Sequence, residues 1–235
     1  MIVAANFKTN KTRAQTRDYM DEVNHFMRSE NIQSEVMVFP PFTAFDNFGK
    51  GAVLGAQNAY AVDNGAFTGE IGVEQLKEFG VRTVLVGHSE RRHVLGETQE
   101  EISNKFKYFQ ALGYTIVYCI GEKLETREAG ESALMAYIET QLVGIDLEYE
   151  NLVIAYEPVW AIGTGLVPSN DDISKIHTDL RAKSSRPLLY GGSVKVTNMQ
   201  EIVSIDNVDG VLVGGASLYA QSFCQMIKIA EGEAR

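Results

Sequence analysis

The chain has 235 residues, 45% of them hydrophobic, which is enough for one large core or two small ones, and a formal net charge of −10. Without a basic run to meet phosphates, that charge excludes a general nucleic-acid binder, though not a binder of one small phosphate. Cys119 and Cys224 are too far apart for a disulfide framework or a zinc spacing, the N-terminal MIVAANFKTNK is too poor in apolar residues for a signal sequence, and no stretch approaches the roughly 20 apolar residues of a membrane span, so a soluble cytoplasmic protein with no membrane partner is expected.

Taken in order, the chain alternates apolar runs with amphipathic segments. Ile2–Asn6 reads as a strand followed by a helix over Arg13–Ser29, and Glu35–Phe39 as a second strand stopped by Pro40 and Pro41. Thr43 is placed to cap a short helix reaching Phe48, and Ala52–Asn58 reads as the third strand. The loop Tyr60–Glu70 is long for such a connection and is expected to project. A helix over Val73–Glu78 leads to a strand at Thr83–Val86, then to the polar Gly87–Arg92. A helix over Glu97–Leu112, a strand at Thr115–Ile120 and a helical stretch from about Lys123 to Val143 follow.

Leu152–Ala155 is a continuous apolar run, as in a parallel strand buried on both faces, and it ends at Glu157 and Pro158. Val159–Thr164 then reads as a rigid apolar flap, with Gly163 and Gly165 on either side of Thr164. Such a flap is a candidate lid; the alternative is a loop whose Trp160 fills a surface groove. Ser169 or Asn170 can cap a helix to about Lys183, Leu188–Tyr190 is a strand, and a short helix covers Asn198–Val203. Val211–Val213 is the last strand and Ser217–Ala230 the closing helix.

About eight alternations with short connections predict a (β/α)8 barrel or, as the alternative, an open doubly wound sheet. Asn6, Lys8, His88, Glu90, Glu157, Ser193, Gly214 and Gly215 all follow strand ends, which converge on one face only in the closed barrel. Glu157 is the candidate base, since a lid that excludes water raises a carboxylate's basicity. Lys8 and His88 can donate to a carbonyl or an enediolate, and Asn6 can hold these contacts in place. Gly191-Gly192-Ser193 and Gly214-Gly215 at consecutive strand ends let backbone N–H groups approach a phosphate. Glu90, Arg91 and Arg92 suit structural ion pairs, while His25, His93 and His177 fall in helical stretches as surface or packing residues. No metal or cofactor is required.

The motifs Asn6-x-Lys8, VGHSERR (Val86–Arg92), AYEPVWAIGTG (Ala155–Gly165), YGGSV (Tyr190–Val194) and LVGGASL (Leu212–Leu218) occur in that order, and with them the chain closely resembles the triose-phosphate isomerases. The resemblance implies an α/β fold, a single-domain (β/α)8 TIM barrel over residues 1–235. It also implies interconversion of dihydroxyacetone phosphate and glyceraldehyde 3-phosphate in glycolysis and gluconeogenesis. Glu157 matches the base, His88 the neutral electrophile, and Lys8 and Asn6 the substrate-binding pair. Ser89 and Glu90 match supporting positions, and Gly163, Ser193, Gly214 and Gly215 match the phosphate-binding positions. A homodimer is implied, with the Gly65–Glu70 loop entering the partner and Thr68 near its active site.

Phe7 and Thr9 replace the usual tryptophan and methionine, Leu166-Val167-Pro168 replaces a commoner hinge after the lid, and the connection from Arg181 to Leu188 is trimmed. The hinge change predicts altered lid kinetics with the chemistry retained. Among other phosphosugar enzymes, a Schiff-base aldolase would need a lysine near the position of Glu157, and a metal-dependent epimerase clustered ligands that four scattered histidines do not supply. A non-catalytic binding protein on an inherited barrel remains the alternative of a different class.

Overall fold

The computed structural model describes residues 1–162, 166 and 168–233. The strands β1 (Ile2–Asn6), β2 (Glu35–Phe39), β3 (Val53–Ala56), β4 (Thr83–Val86), β5 (Thr115–Ile120), β6 (Leu152–Tyr156), β7 (Leu188–Tyr190) and β8 (Gly210–Val213) form a closed barrel in sequence order. Every neighbouring pair is parallel, and β1 closes the ring on β8 with Ile2 opposite Gly210 and Ala5 opposite Val213. The open-sheet alternative is thereby excluded.

Two buried layers follow from the period-2 alternation of strand side chains. Ile2, Ala4, Met37, Phe39, Leu85, Val117, Cys119, Val153, Ala155, Leu189 and Leu212 pack together inside the barrel. Val3, Ala5, Val36, Val38, Val84, Ile116, Ile154 and Val211 face outward into the larger core beneath the helices. Burying one such side chain contributes roughly 1.5–3 kcal/mol, so slipping a strand by one residue would forfeit several of these at once. The inward series also sets the site. Asn6 continues Ile2 and Ala4, Glu157 continues Val153 and Ala155, Gly191 continues Leu189, and Gly214 continues Leu212.

The outer helices begin at local signals. Thr12 caps α1 (Arg13–Ser29) and Thr98 caps α4 (Gln99–Ala111), each in turn donating its own N–H to the side-chain oxygen of Gln15 or Glu101. Of the two candidate caps for α7 (Asn170–Arg181), Ser169 is used, accepting from the Asp172 N–H at 3.1 Å. Helix α2 spans Val73–Glu78 as expected. The connection after α7 is pinned by Arg181, which donates to the Arg186 carbonyl at 2.7 Å.

Several boundaries differ from the sequence expectation. Thr43 caps nothing: it lies inside a 3₁₀ turn, Phe42–Ala44, and no helix reaches Phe48. Arg13 and Arg17 of α1 hold Asp46 instead, Arg13 at 2.8 Å. Strand β3 stops at Ala56 because the Gln57 amide turns to the carbonyls of Lys8 and Phe39. The stretch from Lys123 to Val143 is two helices, α5 (Leu124–Glu128) and α6 (Glu131–Leu142), separated at Gly130, whose φ of 97° ends any helix. The segment after β4 folds as a short helix, α3 (Ser89–His93), and α8 starts earlier than expected, at Val196, and runs to Val203. The closing segment is a 3₁₀ turn (Gly215–Leu218) and then α9 (Ala220–Gly232), since Tyr219 between them is extended. No described helix is long and apolar enough to cross a membrane.

Candidate active site

The carboxyl ends of the strands enclose a cavity of about 420 Å³, reached by Asn6, Lys8, His88, Glu157, Ser193, Gly214 and Gly215. Strand alternation delivers Asn6 and Glu157 directly, but it would turn His88 away from the interior. Gly87, in the left-handed region at φ 75°, redirects the chain, and His88 faces the cavity as the N-cap of α3. The Arg92 guanidinium fixes that turn, donating to the carbonyls of Gly87 at 2.7 Å and Cys119 at 3.1 Å. Arg91 pairs with Glu97 at 3.0 Å. Both arginines therefore play the structural part expected of them.

Glu157 and His88 are both buried and face each other, with Oε1 of Glu157 3.0 Å from Nε2 of His88. The other carboxylate oxygen of Glu157 accepts the Ser89 N–H at 2.9 Å. Burial favours the neutral carboxyl, but the facing His88, the Ser89 N–H and the Lys8 charge outweigh it and hold Glu157 below the usual carboxylate range. For His88, burial lowers the pKa, but the Glu157 carboxylate, with Glu90 adding to it, leaves the group raised overall. Protonation would nevertheless require Nδ1 to release the Glu90 N–H, which it accepts at 3.3 Å. This geometry therefore corresponds to the neutral ring with its proton on Nε2, aimed at Glu157.

Lys8 holds an unusual backbone, with φ of 51° in a residue other than glycine. Its N–H donates to Oδ1 of Asn6 at 3.0 Å and its carbonyl accepts from Gln57 at 2.8 Å, so side chains on both sides hold the strained turn. Its ammonium meets Oε1 of Glu90 at 2.6 Å. On the far side of the cavity, Gly191 leaves room for the base. A Cβ there would stand 2.9 Å from Cγ of Glu157.

The segment after β6 is anchored by groups the sequence reading did not single out. Glu122 accepts from Tyr156 at 3.0 Å and from the Trp160 indole at 2.9 Å, while burial raises its pKa. The Ser193 hydroxyl donates to the Ala161 carbonyl at 2.6 Å, joining the β7 end to the start of the candidate lid. Trp160 is thus tied inward to a buried carboxylate. Gly163, Thr164, Gly165 and Val167 lie outside the described residues, so the lid beyond Ile162 and the expected phosphate contact of Gly163 are not described. Gln57 and Glu122 were missed because a single glutamine or glutamate after a strand carries no spacing signal.

Thr68 is exposed on the Gly65–Glu70 loop and is not among the residues lining the cavity. Phe67 beside it is half exposed and packs on Tyr60 at 4.6 Å between ring centres. His25 is exposed, His93 partly buried, and His177 buried against Tyr156, as surface and packing residues would be. Cys119 and Cys224 are buried free thiols. Among the described residues, no three His, Cys, Asp or Glu side chains are gathered as a metal site would need.

A carboxylate, a histidine, a lysine and exposed glycine backbone gathered at the carboxyl ends of a closed parallel barrel are the architecture of a (β/α)8-barrel enzyme. The family model described as triosephosphate isomerase matches residues 1–230, and the chain belongs to that family. It is 58% identical over 231 residues to the triosephosphate isomerase of Sulfurimonas denitrificans, covering 98% of this chain and 96% of that one. It is 55% identical to that of a Sulfurovum species, over 97% of this chain and 99% of the other, and 51% identical to that of Wolinella succinogenes with the same coverage.

Proposed function

We propose that this chain, an isomerase by family, interconverts dihydroxyacetone phosphate and D-glyceraldehyde 3-phosphate through an enediolate, within glycolysis and gluconeogenesis. Glu157 removes a proton from the carbon beside the substrate carbonyl and returns it to the neighbouring carbon. The Nε2–H of His88 and the Lys8 ammonium donate to the oxygens on which negative charge develops, and Asn6 keeps Lys8 in place. Triosephosphate isomerase is itself the standard example of a glutamate base working with a neutral histidine, so these roles come to the chain with its family. Ser89 and Glu90 orient His88, Glu157 and Lys8. The phosphate is assigned to the backbone N–H groups near Ser193, Gly214 and Gly215, with Gly163 joining them from the lid.

The observation that carries this reading is the contact between the Glu157 carboxylate and the Nε2 of a histidine whose Nδ1 is already occupied. That contact supports a base and an uncharged electrophile acting side by side. As Glu157 moves to the substrate, His88 loses the carboxylate that favours its charged form, while burial continues to favour the neutral one. No cofactor is assigned. A second copy of the chain is the proposed partner, with the projecting Gly65–Glu70 loop as the contact and Thr68 reaching towards the partner's site. The half-exposed Phe67 and the exposed Val94 and Leu95 support such a face. Residues 1–235 are taken as one catalytic domain acting in the cytoplasm.

The test is a coupled assay with glyceraldehyde 3-phosphate, comparing the chain with Glu157→Gln at equal protein concentration. Fast isomerisation, lost in the variant, is expected. Absence of activity in folded wild-type protein that still binds 2-phosphoglycolate would replace the reading with that of a binding protein.

A further inference from the structure

The charge balance at the cavity mouth sets a problem for a phosphate dianion. The ionisable residues lining the cavity are Lys8, His88, Glu157 and Lys195. Lys8 is neutralised by Glu90 at 2.6 Å, and His88 is uncharged in the tautomer that its hydrogen bonds require. Glu157 contributes a negative charge. Without Lys195 an incoming dianion would meet a net negative mouth on a chain already at −10.

Lys195 is exposed, and among the described residues its ammonium forms no ion pair. Its backbone is held firmly, because Asn198 accepts its N–H at 2.7 Å and donates to the Ser193 carbonyl at 3.0 Å. That clamp places Lys195 on the rim next to Ser193, immediately before the N-terminus of α8, whose dipole adds to the positive potential there. A long flexible stem carrying an unneutralised charge is suited to attracting an anion without fixing its geometry.

We propose that Lys195 is a substrate-capture residue, drawing the phosphate dianion into the cavity and raising the encounter rate while taking no part in proton transfer. This rests on the isomerase reading above. Triosephosphate isomerase is a standard case of catalysis that approaches the diffusional ceiling, so a change in encounter rate passes directly into kcat/KM.

The experiment measures kcat and kcat/KM for glyceraldehyde 3-phosphate against ionic strength in the wild type, Lys195→Gln, Lys195→Glu and Lys50→Gln. The last makes the same charge change in the loop before β3, away from the cavity. At about 0.01 M salt, Lys195→Gln is expected to lower kcat/KM about fivefold and Lys195→Glu further, with kcat within about twofold of wild type and Lys50→Gln unaffected. By about 0.3 M salt the deficit should shrink to less than about twofold as screening shortens the reach of the charge. A deficit independent of salt, a fall in kcat, an equal effect in Lys50→Gln, or no deficit at all would each overturn the proposal. A wild-type chain that does not isomerise the substrate would instead overturn the reading beneath it.

Discussion

Nε2 of His88 and Oε1 of Glu157 stand 3.0 Å apart at the floor of the cavity, although 68 positions separate Ser89, beside that histidine, from Glu157, which its N–H also holds. The contact places the carboxylate within a side-chain rotation of any carbonyl bound against His88 and Lys8. Shortening the base should therefore disturb distance while leaving the cavity filled. Glu157→Asp, which withdraws the carboxylate by about one methylene, is expected to lower kcat by roughly 10²–10³ with KM little changed. Steady-state kinetics beside a 2-phosphoglycolate titration checks this, and near wild-type turnover would remove Glu157 from the role of base.

Gly191 tests the same geometry from the opposite wall. A methyl group there would stand 2.9 Å from Cγ of Glu157 and 3.2 Å from the Tyr156 carbonyl. Gly191→Ala should push the carboxylate away from its partners, lowering kcat roughly 10- to 100-fold at a stability cost of about 1–3 kcal/mol. Kinetics and thermal unfolding of the purified variant separate the two effects; unchanged kcat would mean that the base has free space on that side.

His177 gives the fold a definite acid dependence. Burial lowers its pKa to about 4, the Asn207 carbonyl and Asp209 oppose that shift, and Arg181 adds to it. The unfolded chain binds a proton near pH 6.5, whereas the folded chain resists until about pH 4. Between these values the unfolded state holds more protons, so stability present above pH 6.5 is lost as pH falls. The loss amounts to about 3 kcal/mol for this group. His177→Gln should flatten the curve of denaturation midpoint against pH over that window relative to wild type. Parallel curves would show that His177 does not carry the effect.

Pro168 is buried directly before the Ser169 cap of α7, and Leu166 is exposed. A proline there narrows the backbone choices of the residue before it at the end of the candidate lid. Pro168→Ala is expected to change the opening and closing rate of that segment, with the chemical step retained. NMR exchange rates of the Trp160 indole with and without 2-phosphoglycolate provide the measure, and identical rates in both proteins would exclude the hinge effect.

Much of the architecture could be read from the chain because it depends on local pattern. Continuous apolar runs marked the strands, Ser169 was one of two caps offered for its helix, and the parity of Ile2, Ala4 and Asn6, or Val153, Ala155 and Glu157, follows from the period of a strand. What misled were segments where a distant partner overrode local preference. Thr43 looked like a cap, but Arg13 and Arg17 draw Asp46 towards α1. The third strand was read to Asn58, but the Gln57 amide is taken by Lys8 and Phe39.

The sequence by itself determined the ends of the strands that carry the site, and hence that Asn6, Lys8, His88, Glu157, Ser193, Gly214 and Gly215 could meet if the barrel closed. Only the tertiary structure decided how they meet. The left-handed Gly87 turns His88 inward, the Glu90 N–H fixes its tautomer, and Glu90 neutralises Lys8, while Lys195 stands on the rim with no ion pair among the described residues. Residue type and spacing set what a strand end can offer, whereas orientation, protonation and charge balance depend on groups brought together from other strands. Distances between those groups are not a local property of any segment of the chain.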